Sequence, residues 1–326
     1  MPGFITHYFF GTSAFHRIKS SFLKNLIQKH LGVYCFGQQG PDIFLYHIKN
    51  SLSSPARNIS SLLHETQVSS FFYNYTIAME AMKNPKNREI ARVYLCGLLG
   101  HYYLDSTTHP YIYYRANYIP GELRHNQTNF YLHGRIETNI DIYMLKHYKQ
   151  QLPSAFHKER KLHLTKHELY VLSDLLSKTI QKTYFSNNKY KITKHFIKMT
   201  YFSMKLETFL LHSHFGMRKT FLQTFESLIL KYYLLSTTIA TNKTLDTLNS
   251  LNLNQTMWYN PWDLTLRSRE SFTDLYKKSL KSYLTTLDLL DVFFKQIEKY
   301  GVTTSMISNL IASIGDSSYH SGLSTQ

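Results

Sequence analysis

The stretch GHYYLDSTTHP, Gly100 to Pro110, sets His101, Asp105 and His109 four residues apart. On a helix this spacing stacks side chains one turn above another on a single face. The apolar residues Ile90, Val93, Tyr94, Gly97 and Leu98 continue the face that carries His101 and Asp105, so this imidazole and carboxylate are expected inside the protein. A buried imidazole and carboxylate on adjacent turns either pair with each other or share a metal ion. His133 and Glu137 repeat the four-residue spacing further along.

Chance sets a limit on that argument. With 17 histidines in the chain, about one should be followed four residues later by an acid at random. Two are found, so weight comes from placement: both pairs fall on apolar faces with few neighbouring charges, and His109 sits between them. His163 and His167 have similar spacing but lie in KERKLHLTKHE, a charge run read as an exposed connector. His64 stands beside Leu62 and Leu63 in a helical pattern; such a histidine is about three times more often a core residue than a ligand. Asp42, in GQQGPDIF, follows Gly37, Gly40 and Pro41 at a chain reversal. From there a carboxylate can cap a helix or point across to another element.

Helices must position these groups. The chain of 326 residues has 26 Tyr and 21 Phe against only 13 Gly and 8 Pro, too little turn punctuation for many strands. The expected fold is all-α, a single multi-helix domain with a metal cluster between helices. Residues 1–150 carry the candidate ligands, and residues 151–326 read as a helical half packed into the same domain. Helical patterns cover Phe15 to Leu31, Ile59 to Ala81 and Asn87 to about Ser106, with Pro110 expected to end the last. Residues 51–58 read as a loop, and further breaks fall near 186–188, 241–254 and Gly301. MWYNPWDLTLRSRESF reads as a pocket wall or a helix-packing corner, and buried tryptophan favours the corner. The tail GDSSYHSGLS is expected to fray.

The net charge of +16 draws anionic partners: a phosphate ester, a nucleic acid or an acidic membrane surface. Cys35 and Cys96 alone exclude a disulfide framework and a thiolate zinc site, and both read as buried thiols. The start MPGFITHYFFG lacks the layout of a leader, and Leu222 to Ala240 is interrupted by Glu226 and Lys231, so neither a signal peptide nor a membrane span is expected. The corresponding expectation is a cytoplasmic protein, in contact with membrane at most peripherally.

Taken in order, His7, Asp42, His64, His101, Asp105, His109, His133 and Glu137 resemble the ligand series of the zinc-dependent phospholipase C family and the related zinc-dependent single-strand nucleases. The resemblance covers about the first 150 residues and rests most on MPGFITHYFFG, GQQGPDIF and GHYYLDSTTHP. It implies an all-helical enzyme with up to three zinc ions. Asp42, His64, His101 and Asp105 would hold one, Asp105 would bridge to a second on His7, and His109, His133 and Glu137 would hold a third. The same resemblance assigns the amino terminus to the His7 ion, here Pro2 after removal of Met1. Ile43 and Phe4 stand where choline-selective members carry an aromatic and an acidic residue, so choline selectivity is not implied.

Imidazoles and carboxylates without thiolates also suit, on chemical grounds, zinc kept open for catalysis. Clustered ions lower the pKa of a shared water and clamp phosphodiester oxygens. Asp42, as ligand or as partner of that water, is the candidate general base. The expected activity is hydrolysis of a phospholipid or other phosphodiester. The alternatives are a single-strand nuclease, stacking bases on Tyr111, Tyr113 and Tyr114 beside Arg115, and a non-catalytic basic helical module that binds metal or anions.

Overall fold

The computed structural model describes residues 3–46, 55–186, 190–212, 217–229, 236, 239–241 and 250–325. Its helices are α1 (Phe4–Arg17), α2 (Ser21–Lys29), α3 (Leu31–Gly37), α4 (Pro55–Glu65), α5 (Val68–Glu80), α6 (Pro85–Arg115), α7 (Leu123–Lys149), α8 (Lys158–Lys161), α9 (Lys166–Tyr184), α10 (Lys194–Leu210), α11 (Met217–Ile229), α12 (Phe272–Tyr300) and α13 (Thr304–Ile314). A 3-10 turn spans Gly40–Tyr46, and β1 (Trp258–Asn260) pairs antiparallel with β2 (Asp263–Ser268). At 73% helix with this one hairpin, the chain is an all-α single domain.

α6 is the axis. Asn84 starts it, its side-chain oxygen accepting from the backbone N–H groups of Lys86 and Asn87, and Pro85 occupies the first helical position, where no N–H is needed. α3 and α12 pack along it. Gly97 permits the α3 crossing, because a Cβ there would stand 2.3 Å from the Tyr34 carbonyl oxygen. From α12, the Tyr283 hydroxyl donates to the Cys96 carbonyl. Arg92 on α6 is bidentate to Glu80 of α5 and reaches Glu298 of α12, so the buried guanidinium is fully paired and three helices are tied together. Cys35 and Cys96 are buried free thiols. One hydrophobic core runs from Phe4 to Tyr319 and draws on both halves of the chain.

Several sequence expectations are corrected. The first helix starts at Phe4, so His7 lies in its second turn, and the chain breaks at Ile18 to Ser20 before α2. The run from Ile59 divides after Glu65: Gln67 takes a left-handed conformation (φ 50°), which no continuous helix accommodates. The loop expected at 51–58 ends at Pro55, where α4 begins; residues 51–54 lie outside the described residues. The breaks at 186–188 and 241–254 also fall partly outside them.

Pro110 does not end α6, which continues to Arg115. Having no N–H, it leaves the Ser106 carbonyl without its helical donor. The C-terminal tail lies against that carbonyl at Gly322 (φ 66°), where a Cβ would be 2.5 Å from the oxygen. The tail does not fray. Tyr319 N–H and the Ser318 hydroxyl both donate to the His64 carbonyl, and Ser317 N–H donates to the Tyr102 hydroxyl. The double-tryptophan segment is the β-hairpin rather than a helix corner, with Trp258 packed on Tyr111 of α6.

Candidate metal centre

Four elements bring their polar side chains to the inner face of α6. α1 supplies His7, the 3-10 turn supplies Asp42 and α4 supplies His64; α6 itself supplies His101, Asp105 and His109 from three successive turns. α7 adds His133 and Glu137. The donor atoms form two groups that could hold metal ions: Asp42, His64, His101 and Asp105, and separately His109, His133 and Glu137, each within 4.8 Å. His7 approaches the first group through Nε2, 3.1 Å from Asp105 Oδ1. Asp105 Oδ2 lies 2.9 Å from His101 Nε2 and 3.8 Å from both His64 Nε2 and His109 Nδ1, so its two oxygens face His7 on one side and His101 on the other. Asp42 Oδ1 is 3.2 Å from His64 Nε2 and 3.5 Å from His101 Nε2. Pro2 lies outside the described residues.

The other ring nitrogens explain how the imidazoles are aimed. His64 Nδ1 lies 2.7 Å from the Ser60 carbonyl, His101 Nδ1 3.1 Å from the Gln38 carbonyl, and His109 Nδ1 2.8 Å from the Tyr319 carbonyl. A carbonyl only accepts, so Nδ1 donates in each case and neutral Nε2 is left with its lone pair. Outer partners of this kind orient histidine ligands in metal sites.

Despite the short separations, several buried atoms here have no partner with hydrogen-bond geometry among the described residues: both nitrogens of His7, Nε2 of His64, His101 and His109, Asp42 Oδ1 and both oxygens of Asp105. Burying so many polar atoms unpaired is costly. A shared cation would resolve that cost, and the nitrogen and oxygen donor set fits zinc or a comparable divalent ion.

Electrostatics agree with the donor roles. Burial pushes the His109 and His133 imidazoles well below the usual histidine range, which keeps them neutral near pH 7. His7 is lowered by burial and then by its neighbour His101, whose ring stacks on it at 4.2 Å. Burial also opposes charge on His101, but Asp105 and Asp42 outweigh it and the net shift is upward. Burial would raise Asp105, yet the surrounding His101, His109 and His7 hold its carboxyl well below the carboxylate range.

Sequence reasoning missed three supports. Asp141, one turn beyond Glu137, accepts from the backbone N–H groups of Ile5 and Thr6 and from the Thr6 hydroxyl, so a carboxylate on α7 caps α1 and fixes His7. His320, in the tail expected to fray, stacks on His64 (4.9 Å between centroids, 17°), meets His109 at 5.6 Å, and lies 3.2 Å through Nδ1 from Glu65. Its position as the only histidine after His214 was the available signal. Trp262, at the β-hairpin turn, packs on Tyr113 and Tyr118, and Tyr113 packs on His133. Tyr111 is core, its hydroxyl donating to the Ser250 carbonyl, and cannot serve as a stacking platform. His163 and His167 are exposed and join neither donor group.

Comparison with known proteins found no matching family model, curated protein or solved structure. The site's own chemistry therefore carries the functional reading.

Proposed function

We propose that this chain is a zinc-dependent phosphodiester hydrolase of the phospholipase C type, acting on a phospholipid or other phosphate ester. The carrying observation is Asp105, a fully buried carboxylate whose two oxygens face different imidazoles, Oδ1 toward His7 and Oδ2 toward His101 and His64. His7, Asp42, His64, His101, Asp105, His109, His133 and Glu137 are the proposed ligands. Bound zinc would supply a water of lowered pKa and positive charge for phosphate oxygens.

The protein's part is positional. Backbone carbonyls orient His64, His101 and His109; Asp141 fixes the helix of His7; Asp42, 6% exposed at the edge of the inner group, is placed to accept a proton from an attacking water. Tyr113 packs on His133, and Tyr118 and Trp262 pack on Tyr113, giving the outer group an aromatic border. The same aromatic border favours one second reading, a single-strand nuclease that stacks a base there.

Purification without chelator followed by atomic emission should find two or three zinc ions per chain, a count set by the proposed donor groups. Hydrolysis of bis-p-nitrophenyl phosphate, p-nitrophenylphosphorylcholine and single-stranded DNA then separates lipase from nuclease. A metal-free protein whose melting is unchanged by chelator would sink the proposal and leave a non-catalytic helical module.

A further inference from the structure

α10 buries one face, and both α10 and α11 leave a large apolar stripe facing outward. On α10 the stripe is Met199, Phe202, Leu206, Phe209 and Leu210; on α11 it is Met217, Phe221, Phe225 and Leu228. The spacings of three and four residues confine each stripe to one side of its helix. Phe221 is 72% exposed and Leu228 77%, and nine such residues lie together on these two helices rather than scattered singly. The Arg218 side chain joins the two helices, donating to the carbonyls of Leu210 and His212.

Charge around the stripes identifies their occupant. Lys198 and Lys205 run along one border of the α10 stripe, with Lys194 beside them paired to Asp174 of α9, and Arg218 flanks the stripe of α11. Only Glu207 and Glu226 are acidic in these two helices. Glu226 is buried and bonded to Ser236, and burial pushes the Glu207 carboxyl up to about 7, so neither places a firm negative charge at the surface near neutrality. A second copy of the chain would bring the same lysine row against itself.

We infer that α10 and α11 form a docking face for an anionic lipid bilayer, the apolar stripes entering the acyl boundary while the lysines and Arg218 meet headgroup phosphates. An amphipathic pair with this layout lies in the interface plane. No described helix is long and apolar enough to cross a membrane, so the contact is interfacial. α10 also packs against the 3-10 turn that carries Asp42, through Phe196 stacked on Phe44, which joins the docking face to the metal centre.

The test is cosedimentation of the full chain with vesicles of equal parts phosphatidylcholine and phosphatidylglycerol, compared with pure phosphatidylcholine. Binding to the mixed vesicles is expected to weaken with salt and to fall several-fold on the neutral ones. Phe209→Glu with Phe221→Glu is expected to lower binding at least about hundredfold. Lys198→Glu with Lys205→Glu should reduce it only on the anionic vesicles. All four positions lie outside the core, and an unchanged circular dichroism melt checks that each variant folds.

Absence of wild-type binding at low salt, or full binding by the double phenylalanine variant, overturns the inference. So does a dimer in sedimentation equilibrium that the same substitution dissolves, because a second copy would then cover the face. Vesicle binding is read without turnover, so failure of the proposed hydrolase activity is a separate result.

Discussion

The two donor groups on α6 differ in how the protein holds them. In the inner group, Asp42, His64, His101 and Asp105 come from three elements, no side chain more than 8% exposed, and both histidines are aimed by backbone carbonyls. The outer group takes His109 from α6 and His133 and Glu137 from α7; the last two keep side-chain exposures of 12% and 13%. The inner group is thus assembled by core folding itself, whereas the outer group is completed by α7 and opens toward the aromatic border. Such a difference separates a centre that organises from one that a ligand reaches.

Asp105→Asn is the severest way to break the comparison. Losing an outer partner of a metal ligand typically lowers metal affinity or activity about 10–100-fold, and a carboxylate that faces both His7 and the inner donors is expected to exceed that. Atomic emission on the variant should show metal lost from the inner group and from His7 while the outer group keeps its own, with hydrolysis abolished. Retention of a full complement would mean that Asp105 is not a ligand.

His133→Ala comes next. It is expected to remove only the outer ion and to lower activity at least about 100-fold, while inner-group occupancy and the melting temperature hold. If all metal leaves, the two groups are one cooperative unit.

Acid should act on both groups. His7, His109 and His133 have lowered folded-state pKa values, so below the unfolded histidine value of about 6.5 the unfolded chain binds more protons. Their contribution to stability is present above that pH and is lost as pH falls through it toward the folded values. His101, raised by Asp105 and Asp42, has the opposite sign, its stabilisation present at low pH and lost as pH rises through the folded value. Three groups against one predicts that the metal-free protein melts lower at pH 5.5 than at pH 7.5, which thermal denaturation in chelator checks.

Asp141→Ala separates position from ligation. Hydrogen bonds to a charged acceptor contribute about 1.5–3 kcal/mol each, and three are lost. A fall in stability of about 3 kcal/mol or more is therefore expected, with His7 displaced while His133 and Glu137 retain their ion. Denaturant titration together with metal analysis reads both effects.

How much of this was legible follows from how local each signal is. His101, Asp105 and His109 could be placed on one face because a single helix carries them with its own apolar register. His64 and Asp42 gained meaning only through tertiary closure, since a lone histidine and a turn aspartate each have a common structural role. Asp141 was invisible because it caps a helix more than a hundred residues away, and no local pattern encodes such a cap. Pro110 misled because its usual consequence is a helix end, whereas α6 runs through it to Arg115 with Gly322 of the tail close against the Ser106 carbonyl. The Asn-Pro-Trp turn reads as a corner because buried tryptophan is usually core, and β1, at three residues, is too short to show a strand alternation.

The tail supplies the smallest and sharpest test. Its backbone holds the inner group through the His64 carbonyl and the outer group through His109 Nδ1, and His320 sits between them. Glu65 steadies that ring; the hydrogen bond from His320 in turn holds the Glu65 carboxyl below its usual value. Glu65→Gln keeps the shape but weakens the charge-assisted bond, so the ring can turn away from His64. About a tenfold fall in activity is expected, as for other outer partners, with metal content unchanged and His163→Ala as the silent control. If Glu65→Gln is also silent, the tail only braces the two groups; if it releases metal, His320 belongs to the ligand field that the inner and outer groups share.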